Sequence, residues 1–414
     1  MAIVAVLGTC DTKLDELLFI CDQIKSEGVE ATLIDVGIKS TSNDAISISH
    51  SDLITQYGNG KDTTTLSRSE GIAFMASCAT SAIRELFEAG KIHGIISAGG
   101  SGGTSLASRV MQDALPIGFP KFIVSTVASG DTGPIIGETD ITLMYSVVDI
   151  AGVNQILEGI LCNASAGIAA AARAYEKRLR RTAQQKDDEG EEKRVGITMF
   201  GVTTPGVDAI RKYLEGKYPI ETYIFHATGH GGKAMERLVR EGRLDAVLDL
   251  TTTEICDHIT GGVMSAGETR LDAAVQAGIP NIVSLGATDM TNFGAKDTVP
   301  EKYKDRKLYE HNAMVTLMRT SKDEARAVGK FISEKLLETK KPEKLQVWIP
   351  KGGISMIAVP GGPFEDKEAD ECMFDEIRSR LEGSGIKIVE DDRHVNDEGF
   401  AQDIAEALAK MLFP

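Results

Sequence analysis

Aromatic residues make up only 5% of the 414 residues, with a single tryptophan, whereas glycine occurs 42 times. That balance suits an α/β protein with many tight strand-to-helix turns. Basic charge is also short: 45 Lys and Arg stand against 61 Asp and Glu, a net charge of −16. With no excess of cations to offset phosphates along a strand, nucleic-acid binding is excluded as the main task. An anionic small ligand is not excluded, because backbone N–H groups act locally whatever the net charge. The six cysteines, at 10, 21, 78, 162, 256 and 372, form no CxxC pair and no zinc spacing. They read as small buried hydrophobes of a reducing compartment. No apolar run reads as a membrane span, and the opening AIVAVLG lacks the basic flank of a signal peptide. A cytoplasmic protein that engages no membrane is expected.

What is present is alternation. Short β-branched runs (AIVAVLG, EATLIDV, IHGIIS, KFIVSTV, DITLMYSV) are separated by amphipathic helical stretches. This is the pattern of a mostly parallel sheet, and the continuously apolar strands suit a sheet covered on both faces. Capping boxes are expected at Thr12 with Asp15, Ser67 with Glu70 and Ser321 with Glu324. A long alanine-rich helix is expected from Asn154 to Arg181. The charged run that follows predicts an exposed linker at 186–194, and the pattern restarts with RVGITMFG, ETYIFHA, LDAVLDL and NIVSLGA. GFPKFIVS and GIPNIVS echo one another, which suggests a duplicated plan. The tail adds QVWIPKGG, a helix near 369–381, IKIVE and a final helix to Phe413. The fold expected is therefore α/β: two Rossmann-like three-layer domains with mostly parallel sheets, at 1–185 and 195–414.

In such sheets ligands bind beyond the carboxyl ends of the strands, so the residues just after each strand matter most. In the first domain these include Gly8, Thr9, Asp11 and Lys13, then Gly99, Gly100, Ser101, Gly102, Gly103 and Thr104, then Ser129, Gly130 and Asp131. The middle group is the strongest signal, with four glycines and two hydroxyls opening the helix SLASRVMQDAL. Glycines without Cβ atoms let a phosphate approach a helix N-terminus closely. The run is neither a Walker A motif nor a dinucleotide fingerprint. Asp11 could orient a metal or ribose, and Lys13 could meet a phosphate.

The second domain offers His226, His230 and Lys233 around three glycines as a further anion site, or His226 and His230 as metal ligands, although glycine disfavours the helix that HxxxH requires. Glu254, Asp257 and His258 could form an acid–base group. The paired glycines after Lys351 suit a rigid rim or two turns.

GTCDTKLDEL, SAGGSGGTS, VASGDTG and TTTEICDHITGG, in that order along essentially the whole chain, resemble the tomato mosaic virus resistance protein-like ATP-binding family. The resemblance implies two Rossmann-like subdomains, a homodimer, and ATP with magnesium; it supplies no catalytic residues. ATP phosphates are accordingly expected at Gly99–Thr104, with the loops at Gly8–Lys13 and Ser129–Asp131 on the flanks and Mg2+ held chiefly by phosphate oxygens and water. A dimer built mainly through the first domain also agrees with the small-residue faces of the helices at ASAGIAAAARA and GIAFMASCATSAIRELFEAG, which are apolar on more than one side. The alternative is a metabolic enzyme acting on a small carboxylated or phosphorylated substrate in an interdomain cleft, with Glu254, Asp257, His226, His230 or His258 as acid–base groups.

Overall fold

The structure is a computed structural model that describes residues 1–63, 65–185 and 192–414. The chain divides into two units, Met1–Glu189 and Gly190–Pro414. Six residues of the expected 186–194 linker, 186–191, lie outside the described residues. Its end is not linker, because Lys193 and Arg194 already belong to a strand.

In the first unit the strands are β1 (Ile3–Gly8), β2 (Glu30–Asp35), β3 (Ile46–Ile48), β4 (Gly94–Gly99), β5 (Lys121–Ser125) and β6 (Thr142–Tyr145). The helices are α1 (Cys10–Ser26), α2 (His50–Tyr57), α3 (Arg68–Glu88), α4 (Ser101–Ala114), α5 (Gly133–Ile136) and α6 (Gln155–Gln185). The sheet order is β3-β2-β1-β4-β5-β6 with every pairing parallel. This is the strand order of a dinucleotide-binding sheet, and it reverses direction between β1 and β4. Consecutive residues of β1 serve opposite faces: Ala5 and Leu7 pack with α3 and α4, Val4 and Val6 with α1 and α6. Both faces are buried, which is why the strands read as unbroken apolar runs.

Within α6, residues Gln155–Arg181 are long and apolar enough, by length and composition, to cross a membrane. This departs from the sequence expectation that no such run exists. In the fold, Leu157, Leu161, Ala164, Ile168, Ala169 and Ala172 of this helix are fully buried in the unit's own core, so a sheet-covering helix accounts for the composition.

In the second unit the strands are β7 (Lys193–Met199), β8 (Ile220–His226), β9 (Ala246–Thr251), β10 (Asn281–Gly286), β11 (Met290–Phe293), β12 (Leu308–Asn312), β13 (Val315–Arg319), β14 (Leu345–Pro350) and β15 (Lys387–Asp391). The helices are α7 (Thr204–Lys217), α8 (His230–Arg240), α9 (Thr253–Thr260), α10 (Asp272–Ala277), α11 (Lys322–Leu336), α12 (Lys367–Leu381) and α13 (Glu398–Leu412). The main sheet runs β15-β14-β10-β9-β7-β8, all parallel, and β11-β13-β12 form a separate antiparallel sheet. Trp348 and Ile282 pack with α7 and α13 on one face, and Val283 and Val347 with α11 and α12 on the other. Both main sheets share the run of a central strand, one neighbour on one side, and two successive strands on the other. The echoing segments GFPKFIVS and GIPNIVS feed β5 and β10, which occupy equivalent places in that plan. The fold class is thus two Rossmann-like units with parallel main sheets.

Local details depart from expectation in places. The boxes at Ser67/Glu70 and Ser321/Glu324 form, but Thr12 caps nothing: α1 starts at Cys10 and Lys13 sits at a non-helical kink inside it. The short β3, α2 and the antiparallel sheet are not legible in the sequence, since strands of three to five residues carry little periodicity.

Candidate functional site

The sheet of the first unit reverses between β1 and β4, and a cavity of about 360 Å3 opens there. Thr9, Asp11, Thr12 and Lys13 form its β1 side; Gly99, Gly100, Ser101, Gly102 and Gly103 form its β4 side; Val36, Ile38, Arg68, Ile72, Leu106 and Asp149 complete it. Eight of the thirteen expected site residues therefore meet in one crevice, brought there by two parallel neighbours whose carboxyl ends lie side by side.

The glycine run is shorter as a loop than expected. Only Gly100 separates strand from helix, because α4 begins at Ser101 and takes Gly102 and Gly103 into its first turn. None of Gly99, Gly100, Gly102 and Gly103 has a positive φ, so backbone conformation does not demand glycine. Gly99 is needed for closeness: a Cβ there would stand 3.2 Å from the Gly103 Cα. At Gly103 nothing lies within 4 Å of a would-be Cβ. The N–H of Thr104 bonds to the Gly100 carbonyl, which leaves the N–H groups before it at the mouth of the helix.

Three expected ligands have other work. Gly8 lets Leu17 of α1 pack across the end of β1, since a Cβ would lie 2.5 Å from the Leu17 methyls. Thr104 is buried, its hydroxyl 2.7 Å from Ser125 Oγ, where it ties α4 to β5. Asp11 does face the crevice, but its Oδ2 receives the N–H groups of Ile38 and Lys39, both at 3.1 Å, and so it braces the loop after β2. Ser129, Gly130 and Asp131 are exposed beyond β5 and outside the crevice; Asp131 accepts the Gly133 N–H at 3.0 Å.

Arg68 went unread as a site residue. It is the first residue of α3, held by the Ser67 cap, and reaches the crevice from across the fold. Lys13 and Arg68 have no carboxylate partner among the described residues. Lys13 and Arg68 thus bring two cations to the crevice beside a helix N-terminus, where the carboxylates of Asp11 and Asp149 also lie.

The second unit is built the opposite way. The three glycines of FHATGHGGK look like a second anion loop, but a carboxylate of the protein already fills it. Glu254, fully buried, receives the N–H groups of Gly229 and Gly232 at 2.7 and 3.0 Å on Oε1. Its Oε2 receives Arg270 Nε at 2.7 Å. Arg270, itself buried, makes paired bonds of 2.5 and 2.6 Å to Asp249. Gly231 and Gly232 are packing glycines, their would-be Cβ atoms 1.9 Å from the His226 carbonyl oxygen and 2.0 Å from Glu254 Oε2. Burial pushes the Asp257 carboxyl up to about 7, a value that would suit acid–base work. Yet its oxygens are occupied by the N–H groups of Met264 and Asn292, both at 2.7 Å. Glu254 and Asp257 are structural, and His258 is exposed with its ring against Phe331. No group of three or more metal-type side chains gathers among the described residues, His226 and His230 included.

These features define a protein of two Rossmann-like α/β units in which the first has an open, glycine-lined switch point and the second a closed one. Residues 2–177 match the N-terminal domain, and residues 192–412 the C-terminal domain, of the Uncharacterised protein family (UPF0261), and the chain belongs to that family. It is 43% identical over 411 residues to a UPF0261 protein of Clostridium tetani, covering 99% of this chain and 98% of that one. It is 39% identical over 425 residues to the ToMV resistance protein Tm-1(GCR237) of Solanum lycopersicum, covering 98% of this chain and 55% of the tomato protein. The family resemblance read from the motifs is thereby borne out. Among solved structures, the UDP-GlcNAc 2-epimerase of Neisseria meningitidis aligns at 10% identity with a TM-score of 0.20, over 68% of this chain and 82% of that one. So slight a likeness carries no weight for function.

Proposed function

We propose that the first unit binds a nucleotide through its phosphates at the β1–β4 switch point, and that the nucleotide is ATP with magnesium. The observation that carries this reading is Gly103: a glycine in a helical turn, with ordinary backbone and empty space where a side chain would go. Glycine there costs helix stability and serves no contact within the unit, whereas a phosphate docking on the helix N-terminus needs that space. Lys13 and Arg68 supply the side-chain cations, and the family resemblance supplies the choice of ATP. Magnesium is then held by phosphate oxygens and water, in keeping with its preference for few protein ligands. Calorimetry of the full chain with ATP and Mg2+ tests the reading. Wild type binds, and Gly102→Val, whose branched side chain enters the crevice beside Arg68, binds at least about tenfold more weakly. Absence of binding by wild type, or equal binding by both, overturns it.

A further inference from the structure

A second cavity of about 760 Å3 lies beside the crevice, lined among others by Ile38, Lys39, His50, Ile54, Leu66 and Arg68. Ile38 and Arg68 line both cavities, so the groove continues the crevice toward the β2 side of the sheet. In a dinucleotide-binding sheet this is where the nucleoside lies, and an acidic residue at the end of β2 commonly receives a ribose hydroxyl.

Here that acidic residue is Asp35, the last residue of β2, and it is turned away. It is fully buried, and its Oδ1 receives the N–H groups of Cys10 at 3.1 Å and Gly37 at 2.9 Å. Burial raises its pKa. Asp35 thus fastens the starts of two loops together and lines neither cavity.

His50 stands where the carboxylate would have reached. It opens α2, is only 6% exposed, and lines the groove. Its Nδ1 is 2.8 Å from the carbonyl oxygen of Gly37, two residues beyond Asp35. A carbonyl only accepts, so Nδ1 carries a proton, and in that tautomer Nε2 is an acceptor. Among the described residues Nε2 has no partner. An acceptor without a protein partner, on the wall of a groove of nucleoside size, is placed to take a donor from a ligand.

We infer that this groove is the nucleoside subsite and that His50 Nε2 accepts a hydrogen bond from a ribose hydroxyl, in place of the inward-turned Asp35. The inference rests on the phosphate reading above and adds to it a preference for ribonucleotides. Calorimetry of the full chain with the magnesium complexes of ATP, 2′-deoxyATP and 3′-deoxyATP tests it. Wild type binds ATP about tenfold more tightly than the analogue that lacks the contacted hydroxyl. In His50→Ala the three ligands bind alike. Equal affinity of wild type for all three overturns the ribose assignment and leaves phosphate binding standing. A preference that persists in folded His50→Ala overturns the role of His50. If none of the three binds wild type, the phosphate reading falls and this one with it. The comparison of ligands on wild type decides the ribose assignment even if the His50→Ala chain fails to fold.

Discussion

Gly103 and Gly232 both lie in the first turn of a helix that follows a parallel strand, and only their surroundings tell them apart. A methyl at Gly103 meets nothing, so Gly103→Ala raises stability by roughly 0.5–1 kcal/mol through the backbone, while ATP affinity falls. Chemical denaturation and calorimetry on one preparation check both signs; an alanine variant that binds as well as wild type removes the reason for the glycine. At Gly232 a methyl collides with Glu254, which already holds the helix N-terminus. The partner of that carboxylate is Arg270, which also grips Asp249 and lies near Glu236. Arg270→Leu strands three buried carboxylates, and removing one partner from a buried ionic cluster costs on the order of 3–5 kcal/mol. A urea midpoint within experimental error of wild type would show that the cluster adds nothing. The two glycine runs could not be separated by reading them. SAGGSGGTS and ATGHGGK are both glycine-rich helix starts, and the residue that closes the second lies more than twenty positions downstream.

Among the elements, α3 does the most to assemble the crevice. Ser67 Oγ receives the Glu70 N–H at 3.4 Å, and Glu70 Oε2 receives the Ser67 N–H at 2.9 Å, a capping box visible in the sequence. Its consequence is spatial: the box anchors the turn from which Arg68 reaches the crevice. Ser67→Ala costs about 1 kcal/mol and weakens ATP binding several-fold by loosening that turn. Denaturation and calorimetry measure the two losses; a loss of stability with unchanged affinity would remove Arg68 from the binding machinery. α1 shows the reverse case. Thr12 and Asp15 have the spacing of a box, but Leu17 must pack over Gly8, and the Cys10 N–H is taken by Asp35 from β2. Those contacts start the helix early and leave the kink at Lys13. Local capping chemistry decides a helix start where the turn is exposed, as at Ser67. It yields where strand ends impose their own geometry.

Across the whole molecule, burial and ion pairing push the carboxyls in opposite directions. Burial raises Asp257 and Asp370 to about 7 and Asp289 to about 6. These carboxyls hold protons more tightly in the folded chain than in the unfolded one, so their contribution to stability is present at low pH and is lost as pH rises through 6–7. Carboxylates lowered by ion pairs, such as Glu390 and Asp391 beside Arg378 and Arg393, stay ionised over that range and add no slope. Thermal melts of the full chain from pH 5 to pH 8 therefore show a transition whose Tm falls as pH rises. A flat or rising Tm would mean that the three carboxyls ionise without cost. The sequence alone determined the α/β class, the parallel sheets, and the loop after β4 as the best candidate for an anion, because unbroken apolar strands and glycine-rich strand ends are local properties of the chain. Only the tertiary structure decided which glycine loop is open and which is filled, that Asp35 turns inward, and that Arg68 and His50 meet Gly103 at one crevice and its groove. The physical reason is that an N–H or an acceptor is free only if no distant residue satisfies it, and that depends on the packing of segments far apart in the chain.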